Sequence, residues 1–442
     1  MSGATKSIRF HVQPGGRLRG TIRVPGDKSI SHRAIMFGSL ADGVTEIEGF
    51  LEGEDSLATL AAFRAMGVRI EGPDAGRVVI HGVGREGLEA PATPLDLGNS
   101  GTSMRLLCGL LAGQRFDVTL VGDASLSSRP MRRVIEPLEG MGARIEASKA
   151  GTAPLTIRGG AKLRGTRYTL PMASAQVKSA LLLAGLYAEG ETCVTEPAPT
   201  RDHTERMLRG FGYEVRTGEK TVCLTGGGRL RATAVTVPGD ISSAAFFLVG
   251  ASIAEGSDLL LENVGVNPTR TGVIEILRLM GADLEVLDER EAGGEPVADI
   301  RVRSAALRGI EIPEALVPLA IDEFPVLFVA AACAEGRTVL RGAEELRVKE
   351  SDRIQVMADG LQALGVEARP MPDGIVIEGG PIGGGRVASH GDHRIAMAFA
   401  MAALRAREAI EVDDCANVAT SFPGFDQLAN AAGLGLEARI GR

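Results

Sequence analysis

The sequence predicts an α/β protein of two domains built by internal repetition, with helices in the core and sheets outside. Three observations carry this. A helix end, a glycine and a strand start recur six times, with the glycines at 67, 142, 212, 281, 365 and 433. Their spacing gives a period of about 70 residues. An earlier helix in the repeats reads as apolar nearly all round, as over Ser179 to Leu186 and Ala244 to Ala254, so it should be buried. Finally, Val24-Pro25-Gly26-Asp27 returns as Val237-Pro238-Gly239-Asp240, and each opens a run of three repeats.

The repeat reads as strand, helix, strand, helix and two further strands (βαβαββ). Each marker glycine stands where a helix end needs positive φ before the chain turns into a strand. With crossings near 24 and 238, residues 25–237 form one domain of three repeats. Residues 1–24 plus 238–442 form the other, the first 24 returning to it as a strand. The cleft between the domains is then the expected binding site.

The chain has 442 residues, of which 44% are hydrophobic and 24% charged, with a net charge of -8. That composition fits a globular protein and excludes the basic footprint of a nucleic-acid binder. No apolar run reaches membrane-spanning length and no signal-peptide core opens the chain, which predicts a cytoplasmic protein. The five cysteines, at 108, 193, 223, 333 and 415, contain no Cys-x-x-Cys pair, so they read as reduced core thiols. His390 and His393 lack the partners a metal site needs, and no metal is expected.

The chemistry gathers at helix starts. Asp27-Lys28-Ser29-Ile30-Ser31-His32-Arg33 puts a capping aspartate, a lysine, a serine and an arginine at the first turn of an apolar helix. Free N–H groups and cations there suit a carboxylate or phosphate. Read alone, the stretch is more simply a capped helix with two solvated cations, but the arrangement recurs. Leu97 to Arg105 brings a glycine-rich turn with Gly98 and Gly101 to a helix. Gly122 to Met131 presents Arg129 before Pro130, which reads as a first helical residue with the cation at its N-terminus. Met172 to Lys178 supplies Ser174, Ala175 and Gln176, and Pro199 to Glu205 supplies Arg201.

Carboxylates enter in the last repeats. Asp322 opens a buried helix; Glu344 to Arg353 alternates acid and base, with Lys349 and Arg353 four apart and expected on one face beside Glu350. Ser389 to Arg394 brings Arg394 to another helix start. Acids held among cations would stay ionised and could serve as general bases. Together these residues describe an enzyme or binder for small, multiply charged anions.

These motifs resemble the 5-enolpyruvylshikimate-3-phosphate synthase family from Pro25 to Pro423. Asp27-Lys28-Ser29-x-Ser31-His32-Arg33, Ser174-Ala175-Gln176-Val177-Lys178, Asn267-Pro268-Thr269-Arg270 and Arg201-Asp202-His203-Thr204-Glu205 are similar to its second, bacterial class. Arg347 to Arg353 is similar in both classes. The resemblance implies the two-domain inside-out α/β barrel of the enolpyruvyl transferases. It also implies transfer of the enolpyruvyl group of phosphoenolpyruvate to the 5-hydroxyl of shikimate 3-phosphate, with no cofactor; a cytoplasmic two-domain monomer is the simplest expectation.

By the same resemblance Lys28, Gly101, Arg129, Gln176, Arg353 and Arg394 would hold phosphoenolpyruvate. Ser29 and Arg33 would take the carboxylate of shikimate 3-phosphate, Ser174, Gln176 and Arg201 its phosphate, and Lys28 and Ala175 would also contact it. Asp322 and Lys349 would reach its ring hydroxyls. Asp322 would be the base on the 5-hydroxyl, with Glu350 and Lys28 moving protons at the enolpyruvyl methylene. Two departures stand out. Thr420 precedes Ser421-Phe422-Pro423 where one class has lysine, and Gly101 stands where some glyphosate-tolerant members have alanine. Glyphosate is therefore an expected inhibitor. The sister UDP-N-acetylglucosamine enolpyruvyl transferases normally use a cysteine on a mobile loop, for which no cysteine here is placed; a non-catalytic anion binder is the other alternative.

Overall fold

The computed structural model describes residues 8–440; residues 1–7 and 441–442, which the sequence reading assigned to the second domain, lie outside it. Two compact units emerge. One comprises residues 8–25 with Pro238–Glu291 and residues 296–440, and the other comprises Gly26–Val237 with Ala292–Glu295. The chain thus changes unit at Pro25/Gly26 and Val237/Pro238. It does so twice more at the tip of the hairpin formed by strands Asp283–Ala292 and Glu295–Arg303.

The helices of the Gly26–Val237 unit are α1 (Lys28–Leu40), α2 (Glu54–Ala65), α3 (Gly101–Ala112), α4 (Ala124–Ser128), α5 (Arg132–Gly140), α6 (Ala175–Gly185) and α7 (His203–Gly210). The other unit carries α8 (Ile241–Ile253), α9 (Gly272–Leu279), α10 (Phe324–Cys333), α11 (Arg353–Ala363), α12 (His393–Ala402) and α13 (Phe425–Ala432). In the first of these units α3 packs on α6 and on α1, and nearly every residue of the three is buried. In the second, α8, α10 and α12 pack on one another, and α8 is buried along its whole length. Helices without a polar stripe have nowhere else to go. The α3–α6 approach is close enough that a Cβ at Gly109 would fall on the carbonyl oxygen of Ala180.

Among the described residues the strands form six sheets, three in each unit. The sheet Arg167–Thr169, Glu191–Thr195, Thr221–Thr225 and Arg216–Thr217 shows the scheme: one parallel pair, then antiparallel neighbours. In the Gly26–Val237 unit, strand Ala234–Thr236 closes back in parallel on Ala41–Glu48. In the other, Ile8–Val12 lies between Ile410–Asp413 and Leu436–Ile440, antiparallel to both. All six marker glycines have positive φ, between 77° and 120°, where a Cβ would be strained.

Two local expectations are corrected. Cys193 and Cys223 are not free thiols: they stand directly opposite on antiparallel strands and form a disulfide. Thirty residues of sequence hide a pairing that only strand register creates. Glu191 lies near both sulfurs. Cys108, Cys333 and Cys415 remain free, and burial pushes each thiol up to about 12. Secondly, Pro130 does not begin a helix. Asp123 caps the short helix α4 by accepting from the Leu126 N–H at 2.7 Å, and Arg129 ends that helix in extended conformation (φ −76°, ψ 140°). A residue before proline is pushed out of the helical region, so α5 starts later, at Arg132. Arg129 therefore sits at a helix C-terminus, where a cation is favoured.

Candidate active site: two clusters at helix N-termini

The Gly26–Val237 unit brings together the N-termini of α1, α3 and α6. Each is capped from outside its first turn. Asp27 accepts from the Ile30 N–H at 2.9 Å, Ser100 from Ser103 at 3.1 Å, and Ser174 from Val177 at 3.4 Å. These caps satisfy one donor each and leave the remaining first-turn N–H groups for an anion. Lys28 is the first residue of α1, and its Nζ lies 3.0 Å from the buried carboxylate of Asp55 on α2. Next to it the Ser29 hydroxyl accepts from Arg201 at 3.4 Å.

Gly101 opens α3. A Cβ there would stand 3.1 Å from Nη1 of Arg129 and 3.4 Å from Nη1 of Arg105. Arg129 is buried and donates to the Asn99 side chain at 2.6 Å and to Ser125 at 3.1 Å. Gln176, in the first turn of α6, accepts from Arg105 at 2.5 Å and donates to Thr102 at 3.0 Å. Both amide ends of Gln176 are thus oriented by α3, which fixes which face of the amide a ligand would meet. Ala175 is the first residue of α6, directly after the Ser174 cap.

Arg33 is placed differently from a surface ligand-binding arginine. It is 3% exposed, and its guanidinium donates to Thr204 at 2.7 Å, Ser179 at 2.9 Å and the Ser29 carbonyl at 2.9 Å. Burial draws its pKa down to about 10, against the opposing pull of Glu205 and Asp27. It remains a cation at neutral pH, bound between α1, α6 and α7. Its sequence neighbour His32 is buried and in contact with Thr59 (2.7 Å) and Ser103 (3.3 Å), in a hydroxyl chain that continues to Ser100. Burial, then the charges of Lys28 and Arg33, hold this imidazole well below its ordinary value.

The other unit gathers the starts of α10, α11 and α12. Asp322, just before α10, faces three cations: Arg353 at 3.2 Å, Lys349 at 3.6 Å and Arg394 at 4.0 Å. Arg353 is the hub. It also pairs with Glu350 at 2.6 Å and with Asp392 at 2.8 Å. Burial opposes its charge, but Asp392, Glu350 and Asp322 outweigh that cost and hold it above the ordinary arginine value.

Lys349 does not share a helical face with Arg353, as their spacing suggested. Asp352 caps α11 through the Gln355 N–H at 3.0 Å, so Lys349 lies outside the helix with extended backbone. The two cations meet at Asp322 instead. Thr420 does not supply the missing cation either: it is buried, and its hydroxyl turns back to the Asn417 carbonyl at 2.7 Å. Asp55, Arg105 and Asp392 are members of these clusters that motif reading passes over. For Asp392 a signal exists, a capping residue two before Arg394; Asp55 and Arg105 have none, since each finds its partner through helix packing.

Each cluster can therefore hold anionic groups on fixed cations and helix N-termini. The second also sets the carboxylates Asp322 and Glu350 among those cations. The family model for EPSP synthase (3-phosphoshikimate 1-carboxyvinyltransferase) matches residues 12–428. A protein of that second name from Alkalilimnicola ehrlichii is 74% identical over 97% of this chain and 96% of its own. Another from Methylococcus capsulatus is 70% identical over 98% and 99%. The solved structure of EPSP synthase from Acinetobacter baumannii superposes with a TM-score of 0.88 at 61% identity, over 98% of this chain and all of the other. On the full-length match, the identities and the cationic helix starts that carry the family's motifs, the chain belongs to the EPSP synthase (3-phosphoshikimate 1-carboxyvinyltransferase) family.

Proposed function

We infer that the protein transfers the enolpyruvyl group of phosphoenolpyruvate to the 5-hydroxyl of shikimate 3-phosphate, giving 5-enolpyruvylshikimate 3-phosphate and inorganic phosphate. The observation that carries this beyond family membership is Asp322. It is a carboxylate ringed by Lys349, Arg353 and Arg394 at a helix start, which suits a base working beside anionic substrates.

In this reading Asp322 takes the proton of the 5-hydroxyl as its oxygen bonds to the central carbon of phosphoenolpyruvate, while the methylene gains a proton from the Glu350–Lys28 pair. The tetrahedral adduct then loses a proton from the new methyl group and expels phosphate, restoring the double bond. Arg129, Arg353, Arg394 and the first-turn N–H groups at Gly101 neutralise phosphoenolpyruvate and the phosphate it releases. Ser174, Ala175, Gln176 and Arg201 hold the 3-phosphate, Ser29 and Arg33 the carboxylate, and Lys349 with Asp322 the ring hydroxyls.

The same inference extends to the architecture, an inside-out α/β barrel of six βαβαββ units, three per domain. The six sheets and six glycine turns support it. It extends also to the second, bacterial class, a cytoplasmic monomer, and inhibition by glyphosate. No helix among the described residues is long and apolar enough to cross a membrane.

The test is phosphate release from phosphoenolpyruvate with shikimate 3-phosphate and, separately, UDP-N-acetylglucosamine as acceptor, for wild type and Asp322→Ala. Release with the shikimate ester alone, and loss in the variant by about 100-fold or more, is expected. Release with the sugar nucleotide would move the protein to the sister activity. The free cysteines already weigh against that, since all three thiols are pushed up to about 12 rather than poised as thiolates.

A further inference from the structure

The segment that carries Arg201 is closed at both ends by one buried cation. Lys178 lies on α6, one turn after Ser174, and its side chain is 1% exposed. Its Nζ is 2.8 Å from Glu196 and 2.8 Å from Glu205. Glu196 follows strand Glu191–Thr195, whereas Glu205 is in the first turn of α7. Between them the chain makes the turn that presents Arg201 to Ser29. The Thr200 hydroxyl also donates to Glu196, fastening the residue before Arg201 to the same carboxylate.

The arrangement is asymmetric in charge. One ammonium faces two carboxylates, all three buried, in a region where a lost partner is not replaced by water. Without Lys178, Glu196 and Glu205 would be left as two buried anions, and the segment between them would part from α6. The backbone at Ser174 to Gln176 would remain, since its caps and the Gln176 contacts to α3 do not involve Lys178.

We propose that Lys178 is a positioning residue for the phosphate-binding set: it fixes Arg201 relative to Ser174 and Gln176 without touching the substrate. The assignment rests on the reading of shikimate 3-phosphate as substrate. Lys178 contacts neither the Lys28–Asp55 pair nor the Arg129–Asn99 pair, and it reaches the carboxylate end only indirectly, through Glu205 and its neighbour Thr204, which accepts from Arg33.

The experiment compares equilibrium binding of shikimate 3-phosphate and of unphosphorylated shikimate to wild type, Lys178→Met and Lys178→Arg, with steady-state KM and kcat beside it. In Lys178→Met the affinity for the phosphate ester is expected to fall by about 10- to 100-fold, as for a lost charged hydrogen bond. Shikimate affinity should fall by clearly less than that of the ester, and Lys178→Arg should recover most of the loss. Where Lys178→Met does not fold, Thr200→Val decides: it removes one hydroxyl on Glu196 and should lower affinity for the ester alone, by about 3-fold.

Wild type that fails to favour the phosphate ester would overturn the substrate reading and this assignment with it. Wild type that favours it while the deciding variant keeps the full preference would overturn this assignment only. Equal loss of both ligands would also overturn it, by reducing Lys178 to a residue of general stability.

Discussion

Arg353 and Asp392 form an ion pair sealed from water, 2.8 Å between Nε and Oδ2, with side-chain exposures of 1% and 0%. Asp392 also accepts from the Arg394 N–H at 3.0 Å and from Ser351 at 3.0 Å, so one carboxylate caps α12 and anchors the first residue of α11. Asp392→Asn keeps the shape and removes the charge. Arg353 retains Asp322 and Glu350, but the variant is expected to lose about 3 kcal/mol in urea unfolding, the scale of a broken buried pair. Its KM for phosphoenolpyruvate should rise with that loss, because Asp392 holds two of the cations assigned to that substrate, Arg353 directly and Arg394 through its backbone N–H. Unchanged stability would show that Arg353 is held by the other two carboxylates.

Gly101→Ala probes the space in front of Arg129. The added Cβ would stand 3.1 Å from Nη1 of Arg129, so the guanidinium must give way by a few tenths of an ångström. The expected outcome is a several-fold higher KM for phosphoenolpyruvate and a larger rise in the glyphosate inhibition constant, with KM for shikimate 3-phosphate unchanged. An inhibition constant equal to wild type would remove Gly101 from that pocket.

His32 predicts a pH dependence of stability. Its imidazole is held well below the ordinary histidine value of 6.5 in the folded protein. As pH falls through about 6.5 the unfolded chain gains a proton there that the folded protein refuses, so stability declines toward lower pH. His32→Gln removes that contribution. Between pH 7.5 and 5.5 its unfolding midpoint should fall less than that of wild type, the difference approaching at most about 1.4 kcal/mol per pH unit. Parallel curves for the two proteins would mean His32 titrates normally.

Gly109→Ala tests the closeness of α3 and α6. The methyl group would meet the Ala180 carbonyl, a backbone atom that cannot rotate aside. Separating two buried helices should cost about 3 kcal/mol or more, at the upper end of overpacking. Thermal unfolding would read it directly. Activity per folded molecule should fall as well, since the starts of these two helices carry Gly101 and Gln176.

What the sequence makes legible is local. Glycines at helix ends declare a positive φ, and Asp27 declares a cap, because each depends on a few neighbouring residues. The cationic helix starts are legible for the same reason. Partners brought in by tertiary packing are not: Asp55 reaches Lys28 from the next helix, and Lys178 reaches Glu196 and Glu205 through the interior. Arg129 shows a subtler failure. Proline at a helix start is a sound expectation, but a capping aspartate at 123 competes for the same stretch and wins with a shorter helix. The Cys193–Cys223 pair fails for want of register, which no pairwise spacing encodes.

Strand Ile8–Val12, sandwiched between Ile410–Asp413 and Leu436–Ile440, has a consequence for biosynthesis. A ribosome delivers Gly26–Val237 as one uninterrupted length, so that unit lacks only the four-residue hairpin tip when its last strand emerges. The opening strand must wait through some four hundred residues of translation before both its neighbours exist. Strand Ile8–Val12 therefore keeps both hydrogen-bonding edges uncovered until its two neighbours, far along the chain, have been made.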